Sequence, residues 1–214
     1  IIRMANEVGK PVITATQMLE SMIEQPSPTR AEATDVYNAV RDGTDAIMLS
    51  GETSVGKFPF RAVNAMTRIA KRAESYLEYP MLAERHRAAA KKGGLAVDNA
   101  IADGAVVAAS SLQAKAIVAF TESGSTAGRV AAFRPSVPLF ALTPDFTGGA
   151  KLALRWGVIP VVVKQFTQLQ DMFHAGSQLV LETSIAGEGD VIVVVVGLPI
   201  GVAGTTNLLR VITL

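Results

Sequence analysis

The sequence has no cysteine among its 214 residues, which excludes a disulfide framework and a thiolate metal site and fits a reducing compartment, so the cytoplasm is the expected location. An excess of either charge is also missing. Twenty lysines and arginines face 19 aspartates and glutamates, a net +1 with histidine neutral. A field of that size recruits neither nucleic acid nor an anionic membrane, so a small anion needs a local site. No apolar run is long enough to span a bilayer as a helix. The longest, VIVVVVGLPIGV, reads through its valines as a buried strand. Histidine is scarce: His86 and His174 are isolated, and each reads as an exposed or partly packed side chain rather than a metal ligand. The basic cluster ERHRAAAKK carries no interleaved aromatic residues and reads as a solvated face, not a nucleic-acid patch. The chain also lacks an initiating Met, a signal-peptide layout, an internal repeat and a low-complexity tract; its opening, IIRMANEVGK, reads as the middle of a longer protein.

What remains is a strand and helix grammar in two parts, with length enough for two small domains. In PVITATQ, Val12, Thr14 and Thr16 share one strand face and Ile13 and Ala15 the other, which puts Thr16 at the strand's C-terminal end. After a proline-rich turn, Thr29 and Glu32 form a capping box; Ala33, Val36, Tyr37 and Val40 line one helical face, and Gly43 closes the helix. A second strand, DAIMLSGET, is expected to place Ala46, Met48, Ser50 and Glu52 on one face, again with polar groups at its C-terminal end. A helix over 59–79 follows, with Phe60, Val63, Met66, Ile69, Ala73 and Tyr76 as its apolar stripe. The methionines Met4, Met18, Met22, Met48 and Met66 read as core filler.

EYPMLAERHRAAAKKGG interrupts this order with a proline, a charge cluster and a glycine pair, so the expected organisation is a domain over 1–80, a linker over 81–94 and a second domain over 95–214. The second part alternates as helix 97–113, strand AKAIVAFT, helix 125–134, strand VPLFALTPD, helix 146–156, strand VIPVVVK, helix 166–185, strand DVIVVVVGLPI and a last strand NLLRVITL. Such alternation predicts an α/β domain of three layers around a mostly parallel sheet.

Two stretches carry candidate chemistry. GETSVGKF matches the glycine and lysine spacing of a phosphate-binding loop but puts Phe58 where a Ser or Thr must ligate magnesium, so it fails. TESGST follows a strand and opens a helix, where free backbone N–H groups favour an anion. Thr121, Ser123, Ser125 and Thr126 offer hydroxyls, Gly124 admits close approach, and Glu122 opposes an anion with no basic residue in the stretch to help. An anion site and an ordinary cap with a tight turn are both open readings.

GKPVITATQMLESM, PTRAEATDVYNAVRDGTDAIMLSGETSVGKFP, IVAFTESGSTAGRVAAFRPSVPLFALT and GLPIGVAGTTNLLRV together resemble the pyruvate kinase family across essentially the whole chain. The resemblance implies the last βα units of a TIM-type (β/α)₈ barrel followed by a separate α/β domain with a five-stranded sheet. It implies a parent enzyme that moves the phosphoryl group of phosphoenolpyruvate to ADP in glycolysis, with Mg²⁺ and often K⁺, giving pyruvate and ATP. Thr16 would contact substrate and help place the proton delivered to the enolate, while Ser50 and Glu52 would line or brace the pocket. The family's substrate arginines, phosphoryl-stabilising lysine and metal-holding Glu and Asp precede this stretch, which implies that the chain alone is inactive and holds no metal. The resemblance further implies a homotetramer, with the last strand free to pair across a two-fold axis. It assigns Thr121, Ser123, Gly124, Ser125 and Thr126 to the phosphate of a sugar-phosphate or nucleoside-monophosphate effector, with GLPIGVAGTTN closing over it and Glu122 disfavouring a second phosphate. The competing reading is a stand-alone phosphate-binding or oligomerisation module.

Overall fold

The computed structural model describes residues 1–92 and 96–214. They divide into two compact units, one of Ile1–Asn6 with Lys10–Glu78 and one of Glu7–Gly9 with Tyr79–Leu214.

The first unit runs α1 (Ile2–Glu7, whose last residue is counted with the second unit), β1 (Ile13–Thr14), a 3₁₀ turn (Glu20–Ile23), α2 (Arg30–Asp42), β2 (Ala46–Ile47), α3 (Gly51–Ser54) and α4 (Pro59–Glu74). β1 and β2 pair in parallel, Ile13 with Ala46 and Thr14 with Ile47. Both strands are shorter than the sequence suggests. β1 ends because Thr16 and Gln17 adopt φ of 69° and 54°, which turns the chain off the ladder. Beyond β2 the chain enters a short helix at Gly51, so Ser50 and Glu52 do not continue the strand face of Ala46 and Met48. The core joins Met18, Leu19, Met22, Val36, Ala39, Ala62, Ala65 and Met66. Met4 and Met48, at 71% and 42% exposure, are not core filler. Only part of the expected stripe of α4 is buried: Met66 and Ala73 are buried and Ile69 packs on the core, whereas Phe60, at 85%, and Val63 are exposed, and Tyr76, also exposed, lies past the end of the helix. The buried face of α4 is rotated onto Ala62, Ala65, Met66 and Ala73, because small side chains let α2 and α4 approach closely.

α2 shows why the first unit holds its shape. Glu32 N–H donates to Thr29 Oγ1 at 3.3 Å and Thr29 N–H donates to Glu32 Oε2 at 2.8 Å, the expected capping box. The same carboxylate also accepts from Ser21 N–H at 2.7 Å and Ser21 Oγ at 2.5 Å, tying the 3₁₀ turn to the helix start. At the other end, Gly43 closes α2 with φ of 95°; a Cβ there would stand 2.8 Å from Asn6 Nδ2, which donates to the Gly43 carbonyl.

The second unit contains α5 (Tyr79–Lys92), α6 (Val97–Ser111), β3 (Ala116–Phe120), α7 (Ser125–Ala132), β4 (Leu139–Thr143), α8 (Phe146–Leu152), β5 (Val158–Val162), α9 (Leu169–Glu182), β6 (Val191–Gly197) and β7 (Thr206–Thr213). Its sheet has the order β5-β4-β3-β6-β7, parallel except for the antiparallel edge strand β7. Side-chain alternation gives the sheet two apolar faces. Ile117, Ala119, Val193 and Val195 pack with Ala105, Ala127 and Val130, while Val118, Phe120, Ile192 and Val194 pack with Met172, Phe173 and Val180. Helices thus cover both faces, and β3 and β4 are buried throughout.

The expected linker over 81–94 is helical as far as 92, and residues 93 and 94 lie outside the described residues. Packing against α6 and Phe133 explains the helix. His86, 9% exposed, stands edge-on to the Phe133 ring at 4.6 Å. Arg87 donates to both carboxylate oxygens of Asp103 at 2.7 and 2.6 Å, and its guanidinium is held above the ordinary arginine range by those bonds despite partial burial, with Glu84 adding to the effect. His86 and Arg87 of the basic cluster are therefore structural. Among the described residues no helix is long and apolar enough to cross a membrane.

Glu32 yields a test. Burial raises its pKa, but the hydrogen bonds from Ser21 and Thr29 more than offset that, and the carboxyl sits below its ordinary value of 4.5. A depressed carboxylate contributes stability that is present above its unfolded pKa and lost as pH falls through the folded one. Glu32→Gln should cost about 1 kcal/mol at neutral pH, the scale of a lost cap, and should shrink the loss of stability below pH 4.5. Denaturant unfolding from pH 7 to 3 reads both; identical curves for the two proteins would contradict the assignment.

Candidate functional site

In the first unit, the C-terminal ends of β1 and β2 carry Thr16 and Ser50. Positive φ at a β-branched residue is costly, on the order of 1–3 kcal/mol, and persists only where the surroundings over-determine it. Thr16 has φ of 69° and is exposed, and among the described residues its hydroxyl has no protein partner. What fixes the turn is Glu52. This carboxylate, 3% exposed, accepts from Leu19 N–H at 3.1 Å and from Ser50 N–H at 2.7 Å, so it joins the turn after β1 to the start of α3. Both oxygens are engaged by backbone, which makes Glu52 a brace, while the Ser50 side chain remains exposed. Thr44, buried and silent in the sequence reading, adds a second tie: Thr14 Oγ1 donates to Thr44 Oγ1 at 2.9 Å, and Thr44 Oγ1 donates to the Val12 carbonyl at 3.0 Å. In GETSVGKF, Lys57 pairs with Glu24 at 2.5 Å on the surface instead of facing a phosphate cradle.

In the second unit the chain moves from β3 to β4 to β5 in one direction and then returns to place β6 on the other side of β3. Parallel sheets bind ligands at such a switch point, beyond the strands' C-terminal ends. The turn Thr121–Thr126 leaves β3 and the stretch 198–205 leaves β6, and together they enclose a narrow cleft of about 40 Å³. That is room for one small group. Gly124, with φ of 84°, starts α7 without any side-chain cap, whereas Asp145 caps α8 by accepting from Thr147 N–H at 2.9 Å. A Cβ on Gly124 would approach Leu152 Cδ2 to 3.2 Å, so packing as well as φ requires glycine.

The hydroxyls divide by role. Thr121 is 6% exposed and lines the cleft, and its Oγ1 has no hydrogen-bond partner. Thr126 Oγ1 shares a 2.7 Å hydrogen bond with Thr206 Oγ1, which ties α7 to β7. Ser123 Oγ donates to Ser125 Oγ at 3.3 Å near the mouth. Thr121, Ser125 and Thr126 line the cleft together with Glu122; Ser123 and Gly124 shape the turn. The cation that the sequence of this turn lacks is present: Lys164, from the loop after β5, also lines the cleft. No local pattern marks it, because β5 stands two strands away in the sheet. Unpaired N–H groups, a buried unpaired hydroxyl and one lysine suit an oxyanion. Among the described residues no three His, Cys, Asp or Glu side chains converge to hold a metal ion.

Residues 99–212 match the family model described as pyruvate kinase, alpha/beta domain, and residues 1–63 match that of the pyruvate kinase barrel domain. The pyruvate kinase of Clostridium acetobutylicum is 44% identical over 211 residues, covering 99% of this chain and 44% of the relative. That of Sporosarcina psychrophila is also 44% identical over 211 residues, covering 99% of this chain and 36% of the relative. A crystal structure of a pyruvate kinase from Cryptosporidium parvum superposes with a TM-score of 0.90 at 39% identity, covering 99% of this chain and 41% of that one. The chain thus spans less than half the length of these relatives. Apart from Glu7–Gly9, the barrel match falls on the first unit, and the α/β match falls on the second; the chain belongs to the pyruvate kinase family.

Proposed function

We propose that these residues supply the end of the barrel and the C-terminal α/β domain of an enzyme that transfers the phosphoryl group of phosphoenolpyruvate to ADP, giving pyruvate and ATP in the cytoplasm. The observation that carries this reading is Thr16: a β-branched residue held at φ of 69° at a barrel strand's C-terminal end, its hydroxyl exposed and without a protein partner among the described residues. Strain maintained by the Glu52 brace presents that hydroxyl to a ligand. Thr16 is assigned to substrate contact and to placing the proton that the enolate receives. Ser50 is assigned to the pocket wall and Glu52 to support. The ligands of the Mg²⁺ and K⁺ expected of the whole enzyme, with the lysine that clamps the transferred group, are assigned to the rest of the enzyme.

The second unit is assigned effector binding and assembly. The unpaired Thr121 hydroxyl, the uncapped start of α7 and Lys164 support one phosphate of a sugar phosphate or nucleoside monophosphate, and Glu122 opposes a second. A cleft of about 40 Å³ admits the phosphate but not the rest of such a ligand. The stretch 198–205, with Gly201 and Gly204 both at φ of 81°, is assigned to open for it. Among the described residues β7 pairs with β6 alone, and its outer edge is assigned to a second copy, in line with a homotetramer.

Three outcomes follow. In the whole enzyme, Thr16→Ala should lower kcat by roughly 10²-fold, the low end for a positioned proton-transfer contact; an unchanged kcat places Thr16 outside the mechanism. The 214-residue chain alone should release no pyruvate from phosphoenolpyruvate and ADP above a blank without protein, and measurable turnover would sink that assignment. Calorimetry should show this chain binding glucose 6-phosphate, with Ser123→Asp abolishing the heat; a series of sugar and nucleoside monophosphates giving neither heat nor thermal shift at millimolar concentration would leave the turn a plain helix start.

A further inference from the structure

The second unit has another recess, on the far side of the turn Thr121–Thr126 and sharing Ser125 with the cleft, and much larger, at about 530 Å³, within the range of small-molecule sites. Its walls come from the inner face of α5, the start of α6 and one face of α7. Four alanines, Ala89, Ala90, Ala96 and Ala132, give low, apolar walls without projecting side chains.

Two arginines line the same recess. Gly128 presents bare backbone to Arg155: a Cβ there would lie 3.5 Å from the guanidinium carbon, so the flat group stands over the helix with room for about a methyl group between them. Arg155 Nη1 donates to the Gly9 carbonyl at 2.8 Å, Gly9 being part of this unit, and that bond uses one of the five donors of the group. Arg129 is oriented from behind by Asp98, which accepts from Nη2 at 2.7 Å. Its Nη1 is buried without a partner, an unfavourable condition that an acceptor oxygen would relieve. Glu7 is the one carboxylate among the described lining residues, against the two guanidinium groups. Planar arginine forks match phosphate in geometry as well as in charge.

We infer that this recess is a second anion site, which takes a small organic monophosphate with a flat, weakly polar body of the nucleoside monophosphate class. The forks of Arg129 and Arg155 hold the phosphate and the alanine walls receive the planar ring. The inference does not rest on the effector reading of the cleft, since it uses neither Thr121 nor Lys164.

Adenosine 5′-monophosphate is the probe, titrated calorimetrically into the chain carrying Ser123→Asp, the substitution expected to abolish binding in the cleft. Binding should persist in that background and should weaken by about tenfold to a hundredfold when Arg155→Met is added, the loss expected of one charged hydrogen-bonding group. Ala90→Leu, which fills the recess and keeps every charge, should weaken it similarly, and thermal unfolding identifies a variant that has merely lost its fold. If Arg155→Met unfolds the chain, Ala90→Leu decides. No binding to the Ser123→Asp chain at millimolar probe, or binding indifferent to both further substitutions, overturns the inference.

Discussion

Parallel pairing of β3 with β4 on one side and β6 on the other is the constraint on which the second unit depends. Parallel neighbours cannot be joined by tight turns, so each crossover passes through a helix and both sheet faces become covered. This is why β3, β4 and most of β6 are buried and why the sequence can spend uninterrupted valines on β6. It also places the parallel strands' C-terminal ends at one edge. Thr121, Lys164 and the stretch after β6, far apart in sequence, meet there without any contact devised for the purpose.

The first unit keeps its shape by other means. Its two strands share a two-residue ladder, too short to organise the surrounding turns. Buried or half-buried carboxylates take over: Glu52 joins the turns that follow β1 and β2, and Glu32 joins the 3₁₀ turn to α2. Each accepts from backbone N–H groups of two segments, and charge-assisted bonds of this kind are stronger than neutral ones. The positive φ of Thr16 is tolerated inside that frame, which connects a local strain to the chemistry assigned to the residue.

Features encoded by neighbours in sequence were legible. The capping box at Thr29 and Glu32, the αL closure at Gly43 and the valine strand each follow from residues within a few positions of one another, and all are present. The order of helices and strands in the second unit follows likewise from alternating periods. Features set by tertiary distance were not. Lys164 reaches the cleft from a different strand, Glu52 leaves its expected strand because α3 begins at Gly51, and α4 turns its alanines inward where residue size suggested Phe60. The basic segment around His86 read as a linker because its stabilising partners lie far on in the chain, Asp103 in α6 and Phe133 just past the end of α7. Thr16 was legible by its place at a strand end and by family likeness, but its φ was not, since no rule of composition puts threonine there.

The central claim is that the switch point between β3 and β6 is an oxyanion site served by the start of α7 and a lysine from a distant strand. Amide NMR during titration with inorganic phosphate tests it most directly. The account predicts saturable shifts largest at Thr121, Thr126 and Lys164, with the valine strand β6 unmoved over 192–195. Shifts that never saturate, or that spread over the surface while Thr121 and Thr126 stay fixed, would contradict it.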